Sequence, residues 1–591
     1  MKTKSDLLKT EHSYLHDLCI LAVVFGGAFF MFLGRVGLIE PDEGRYAEIP
    51  REMLEKCDFI TPTLNYVLYF EKPPLHYWLT ALSFKLFGLN EFAARFTGAT
   101  AGILTVLLVY HTARKLFGRS EGLFSALILG STTGFVAQSR INLTDLTLTF
   151  CLSAALCCFI LAADDRERHK GFYYYLFYLF AALAVLTKGL IGLVFPMGIV
   201  FIHLILFRRW HLLKEMHIVR GTVLFLAVAA PWFVLVSLRN PEFARFFFIH
   251  EHVERFLTTV HGRYQPAWFF LPVLLGTMFP WSLFVVRAVG RAWKDRRHAD
   301  GERLAFLLTW AAVIFLFFSA SHSKLVPYIL PMFPPLAMLL GRMFTHVTIK
   351  QGQETTFAWE QGILAGLLVL MTVAAALYPH MQELAPVLTG SGLVRSDSSL
   401  LTKQPILSPA GGAMIACVTM ALLVCLWLAR RQREILTLFV ALCLGSYLLA
   451  TIGLQTFMEG IANKKSSKEL ALLARQTMPP EGRLVTYGYE QSLPFYTGRQ
   501  VVVVGGKGEL EFGSRQGDQS AWFLNEADFI RLWREKHQVT ALMQKNDYER
   551  ISPRLTPTPL TLGQKGKHVL ICNEGTASAH AQVGTTAEMR Q

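Results

Sequence analysis

Thirteen apolar stretches of 16 to 23 residues are strung along this 591-residue chain. They fall at about 18–34, 91–113, 121–138, 143–163, 172–187, 189–207, 219–238, 267–286, 304–320, 325–341, 361–379, 410–429 and 435–454. About 20 apolar residues in a helix cross the hydrocarbon core of a bilayer. So many in succession predict a mainly α, polytopic membrane protein of about thirteen transmembrane helices, not a row of soluble domains. Only 17% of the residues are charged, against about 25% in soluble proteins. The stretch 75–89 is apolar but short and contains Lys85, so it reads as an interfacial or re-entrant helix.

The net charge of +14 invites a nucleic-acid reading until the basic residues are placed. With the N-terminus in the cytoplasm, the inward loops hold Arg114, Lys115 and Arg119, then Arg166, Arg168 and Lys170, then Arg208, Arg209, Lys214 and Arg220. Arg287 to Arg303, Arg342, Lys350 and Arg430 to Arg433 continue the pattern. Few basic residues fall on the short outward connections. This is the positive-inside bias, and it accounts for most of the excess. It argues against nucleic acid as a partner and predicts a multi-pass membrane protein with an outward C-terminus. Lys2, Lys4 and Lys9 before the first stretch resemble a signal peptide, but no cleavage site follows.

Residues 1–454 form the predicted transmembrane domain, with outward loops at 36–90 and 239–266. Residues 455–591 carry no spanning stretch. Short β-rich runs at 484–489, 500–505, 539–544 and 568–573 alternate with helical patterns near 468–476 and 526–536. That alternation predicts a small outward α/β domain, with a disordered tail from about 575. Seven of nine cysteines lie in or beside the apolar stretches, and no Cys/His spacing fits a zinc site.

Ionisable residues at membrane edges are the candidates for chemistry, and they gather on the outward side. The first loop reads EPDEGRYAEIPREM at 40–53, holding Asp42, Glu43, Arg45 and Tyr46, and YFEKPPLHYW at 69–78, holding Tyr69, Glu71, Lys72 and Tyr77. The two prolines after Lys72 stiffen the chain, and an ammonium suits a phosphate. Asp145 lies in INLTDLTLTF, with a pair to Arg140 as the structural alternative. Lys188 sits in LTKGL, and Lys324 and Tyr328 in SHSKLVPYILP. The loop 239–266 crowds His250, His252, Arg255, His261 and Arg263, and guanidinium groups clamp phosphate bidentately. Carboxylates beside several cations on one face suggest chemistry on an anionic, membrane-held substrate. A transporter or flippase would instead place its charges near the midplane.

These motifs, in this order, together with YGYEQSLPFYTGR at 487–499, resemble the bacterial lipid A aminoarabinose transferases. That family lies in the GT-C superfamily, near the protein O-mannosyltransferases. The resemblance implies an inverting transfer of 4-amino-4-deoxy-L-arabinose from undecaprenyl phosphate to a lipid A phosphate at the periplasmic face. It implies Asp42 as base or acceptor-positioning residue, Asp145 as the second acid, and Lys72 and Arg255 on the donor phosphate. Arg45, Tyr46, Tyr69 and Tyr328 would shape the pocket, with Glu43 added as an acid and Lys188 and Arg263 as cations. No cofactor or catalytic metal is expected; by the same resemblance a non-catalytic divalent metal would sit beside Glu71. Another sugar on the same carrier, or a protein acceptor, remains open.

Overall fold

The computed structural model describes residues 4–248, 265–350, 357–380, 406–432 and 434–573. The candidates His250, His252, Arg255, His261 and Arg263, and the tail from 575, lie outside the described residues. The chain forms two compact units. The first contains residues up to Leu33, Glu71–His76 and Arg95–Met458; the second contains Gly34–Phe70, Tyr77–Ala94 and the chain from Glu459.

All thirteen apolar stretches lie mainly in helices. Among the described residues, ten helices are long and apolar enough to cross a membrane. Three of the expected spans differ. Ile191–Phe207 is a shorter apolar helix. The stretch 121–138 is divided into Arg119–Ser131 and Thr133–Ser139, and 267–286 bends by 109° between Ala267–Thr277 and Ser282–Asp295. The last two departures share a cause. The Thr133 backbone N–H and hydroxyl both donate to the Phe279 carbonyl, at 3.3 and 2.7 Å, and the Trp281 indole donates to Ser131 Oγ at 3.0 Å. Each broken helix thus supplies partners for the other, which lets irregular backbone persist where water is scarce. Pro280 lies in the break and brings no backbone donor that would need a partner.

Three helical elements of this unit carry the residues of interest. Thr144–Ala163 is apolar and buried nearly all round, and Asp145 stands in its first turn. Lys170–Lys188 ends on Lys188, where Gly189 takes a positive φ of 79° and reverses the chain. The next helix, Ile191–Phe207, returns so closely that a Cβ on Gly192 would lie 2.3 Å from the Val185 nitrogen. Val326–Met332 is a 3₁₀ turn that carries Tyr328.

The second unit combines the first outward loop with the C-terminal region. A hairpin of β1 (Thr63–Leu64) and β2 (Val67–Leu68) follows helix Asp42–Lys56. Six further strands make one sheet: β3 (Arg483–Tyr487), β4 (Val502–Val504), β5 (Phe523–Leu524), β6 (Val539–Gln544), β7 (Leu560–Lys565) and β8 (His568–Cys572). Their order is β5-β4-β3-β6-β8-β7, with β5, β4, β3 and β6 parallel and β8 and β7 antiparallel. Side chains alternate as a pleat requires. Leu484, Leu542 and Leu570 pack on one face with Ala47, Phe84 and Leu470. Val485, Ala541 and Ile571 pack on the other with Phe529 and Trp533. The loop after the first span is therefore part of this unit's core.

Candidate active site

A cavity of about 280 Å³ opens in the first unit. Leu190, Val194, Phe195 and Phe317 supply apolar wall, and Glu71, Lys72, Asp145, Lys188 and Tyr328 supply nearly all its polar chemistry. Four sequence candidates, Lys72, Asp145, Lys188 and Tyr328, are thus brought together from positions up to 256 residues apart.

Asp145 does not pair with Arg140. The Arg140 guanidinium instead donates to the Met31 carbonyl at 2.8 Å and to Gln455 Oε1 at 2.6 Å. Asp145 forms its ion pair with Lys188, both side chains being only 11% exposed. The same ammonium lies 4.9 Å from the centroid of the Tyr328 ring, within cation–π range. Because Lys188 ends one helix and Asp145 begins another, the pair ties two helix termini across the cavity wall. Lys324 is not part of this lining; its ammonium donates to the backbone carbonyls of Ser321 and Gln265.

Lys72 donates to the Glu71 carbonyl at 2.8 Å, and Pro73 and Pro74 restrict the backbone behind it. His76 completes the anchoring. Its ring, fully buried, meets Thr147 Oγ1 at 3.0 Å and Asn142 Oδ1 at 2.9 Å. Burial pushes its pKa down to about 4, so the imidazole is neutral. His76 fastens the Glu71–Lys72 segment to the start of the Asp145 helix. It is a positioning residue that the sequence reading passed over, although it stands inside the FEKPPLHYW string.

Asp42, Glu43, Arg45, Tyr46 and Tyr69 belong to the second unit. Asp42 and Glu43 open the helix Asp42–Lys56, where acids favour the N-terminal dipole. The Glu43 carboxylate accepts from the Ile39 N–H at 3.0 Å. Arg45 is ion-paired to both Asp42 and Glu509, and its guanidinium lies 5.0 Å from the Tyr46 ring centroid. Tyr46 stacks on Tyr77, and Tyr69 is buried. Glu509 gave no signal in sequence, since nothing in its surroundings marks it as the partner of a residue 464 positions earlier. Just before Asp42, Glu40 is pushed up to about 8 by burial and by the neighbouring Glu490.

No group of three or more His, Cys, Asp or Glu side chains suited to a metal ion occurs among the described residues. Glu71 would be a lone carboxylate ligand, because Asp145 is held by Lys188.

Family models match two parts of the chain. Residues 71–235 match the dolichyl-phosphate-mannose-protein mannosyltransferase model, and residues 470–573 match the aminoarabinose transferase C-terminal domain. The undecaprenyl phosphate-α-4-amino-4-deoxy-L-arabinose arabinosyl transferase of Aeromonas salmonicida is 31% identical over 89% of this chain and 93% of its own length. The chain belongs to the aminoarabinose arabinosyl transferase family. The Erwinia tasmaniensis enzyme of the same name is likewise 31% identical, over 90% of the chain and 94% of its own length. The crystal structure of the family member ArnT from Cupriavidus metallidurans, bound to undecaprenyl phosphate, superposes with a TM-score of 0.81 at 28% identity. It covers 95% of this chain and 98% of its own. The chain is thus a multi-pass membrane glycosyltransferase of the arabinosyl transferase family.

Proposed function

We propose that this protein moves 4-amino-4-deoxy-L-arabinose from undecaprenyl phosphate to a phosphate of lipid A, with inversion, at the periplasmic face of the bacterial inner membrane. The cavity carries the reading: lysine ammonium groups and carboxylates converge in a chamber whose walls are otherwise apolar. Apolar walls accept a polyprenyl donor from the side, and cations receive the phosphate that leaves. The similarity over nearly the full chain to a relative bound to undecaprenyl phosphate supports the same donor.

In this mechanism an acceptor phosphate oxygen attacks the anomeric carbon from the face opposite the donor phosphate. The new C–O bond forms as the bond to the donor phosphate breaks, and the electron pair leaves with undecaprenyl phosphate. The acceptor phosphate is already ionised at neutral pH, so no proton need be removed from it. Lys72 neutralises charge developing on the leaving phosphate, together with Arg255 by the family resemblance. Lys188 holds Asp145 by an ion pair and orients it toward the sugar. Asp42 keeps the acceptor-side role that the resemblance gives it. The N-terminus is cytoplasmic and the C-terminal domain periplasmic, following the charge of the loops.

The test is transfer by the purified full chain, with polyprenyl phosphate aminoarabinose as donor and lipid A as acceptor. Wild type forms glycosylated lipid A, and Lys72→Ala lowers kcat by roughly 10²–10³-fold. Normal turnover in Lys72→Ala would remove Lys72 from the mechanism. A wild-type product carrying a different sugar from a mixed donor pool would move the assignment to a sister activity.

A further inference from the structure

The second unit carries a cavity of its own, of about 360 Å³, lined by Tyr66, Trp522 and the segments 480–484 and 498–500. Arg499 closes the string YGYEQSLPFYTGR, a motif to which the transfer mechanism gives no task. Two aromatic rings and two guanidinium groups give the lining its character. The Arg483 guanidinium lies 5.5 Å from the Trp522 ring centroid. Arg499 Nη1 donates to the Pro479 and Pro480 carbonyls at 3.0 and 3.1 Å, which leaves Nε and Nη2, one edge of its fork, for another acceptor. Neither arginine enters an ion pair among the described residues, and Glu481 is the one carboxylate that they place in the lining. The walls are fixed in place. The Asn65 side-chain amide exchanges two hydrogen bonds of 2.8 Å with the Val501 main chain, and the Gln500 amide donates to the Asn65 carbonyl at 3.2 Å. Tyr66 follows in the two-residue hairpin loop at a φ of 64°, which side chains seldom adopt, and its hydroxyl donates to Glu55 at 2.6 Å.

We propose that this cavity binds an acidic sugar carried by the acceptor lipid, beyond the lipid A phosphate that reacts. The inference rests on the lipid A acceptor reading above and deepens it. Guanidinium groups grip a carboxylate or a phosphate bidentately, and the flat face of an aromatic ring suits the C–H face of a sugar. The polar lining does not suit an acyl chain. The volume falls in the range of small-molecule sites, about 300–1,000 Å³. Position decides which part of the acceptor is read. Asp42, given the acceptor-side role, opens the 15-residue helix Asp42–Lys56, and Glu55, the partner of Tyr66, stands in its last turn. At about 1.5 Å per residue, the two ends lie about 20 Å apart. The cavity is therefore not the place where the reacting phosphate meets Asp42. It takes saccharide about 20 Å farther along the same molecule, and an acceptor that brings an anionic sugar there binds more tightly than one that ends at lipid A.

The full chain, purified in detergent, is given polyprenyl phosphate aminoarabinose as donor and three acceptors in turn. These are lipid A, lipid A extended by an ulosonic acid sugar, and the extended acceptor with that carboxyl reduced to the alcohol. In the wild type, KM for the acidic extended acceptor is lower than for either of the others by roughly 10-fold. Arg483 is exposed at the start of β3, so Arg483→Gln should fold with the wild-type Tm, and it brings the KM ratio toward unity. Arg483→Lys keeps the charge but loses the fork, and retains part of the ratio. Arg531→Gln removes an exposed guanidinium of the same unit outside the cavity and keeps the whole ratio. Equal KM values for the three acceptors in the wild type overturn the inference. So does a ratio that survives in Arg483→Gln, an equal advantage for the reduced acceptor, or a loss in Arg531→Gln as large as in Arg483→Gln. Failure of the wild type to glycosylate any of the three acceptors overturns the lipid A reading itself, a result separable from the others because it needs no variant.

Discussion

Replacing Lys188 by Met isolates the interaction that holds the cavity together. The Lys188 and Asp145 side chains are each 11% exposed, so neither charge has much water to fall back on. Removing one member of a buried pair costs about 3–5 kcal/mol, because the other charge is left uncompensated. The Lys188–Tyr328 contact at 4.9 Å adds about 0.5–2 kcal/mol, according to how far it is desolvated. Some of this is recovered, since Asp145 still lines an open cavity and can bind water. A net loss of about 3 kcal/mol is expected for Lys188→Met, and a similar loss for Asp145→Asn. The double variant should be more stable than the sum of the two, by a coupling of about 2 kcal/mol. Thermal unfolding of the full chain in detergent, followed by the loss of monodisperse protein, reads all four members of the cycle. Refutation would come from additivity within about 0.5 kcal/mol: the pair would then be a passive neighbour contact, and the account of how Lys188 holds Asp145 would fail.

Two further outcomes concern the second unit. Gly44→Ala places a methyl 2.5 Å from the Ser492 nitrogen and 2.8 Å from the Gln491 carbonyl carbon; both are backbone, so helix Asp42–Lys56 must shift, lowering stability by about 1–3 kcal/mol in the same unfolding assay, and an unchanged Tm would contradict the packing. Glu40 has its pKa raised to about 8 by burial and by Glu490. A raised carboxyl pKa means that the folded state holds the proton more tightly. Its stabilising contribution is complete below the unfolded pKa of about 4.3 and fades as pH rises toward 8. Tm should therefore fall between pH 5 and 8, and Glu40→Gln should flatten that slope.

How much of this was readable in the sequence divides along physical lines. Helix length and apolar content set the number of membrane segments, because the bilayer imposes both. The breaks at Thr132 and near Pro280 were missed because each depends on the other: Thr133 reaches Phe279, a residue 146 positions away. The membership of Lys72, Asp145, Lys188 and Tyr328 in one site was suggested by their common outward side. Their pairing was not, and Arg140, the sequence-nearest cation to Asp145, proved to be held by Met31 and Gln455. In the C-terminal region the four β-rich runs became β3, β4, β6 and β8. Strand β5 is only two residues long, and β7 (Leu560–Lys565) is polar enough to read as loop. His76 lay in plain view but carried no charge pattern to mark it; its meaning comes from burial against Thr147 and Asn142.

The most direct test of the central claim is mass spectrometry of lipid A. The host lacks its own aminoarabinose transferase, makes the polyprenyl-linked donor, and expresses either this chain or its Lys72→Ala variant. The account predicts a lipid A species heavier by one pentosamine with the wild type, and its near disappearance with Lys72→Ala at equal protein level. Unmodified lipid A in the presence of donor and well-folded wild-type protein would contradict it.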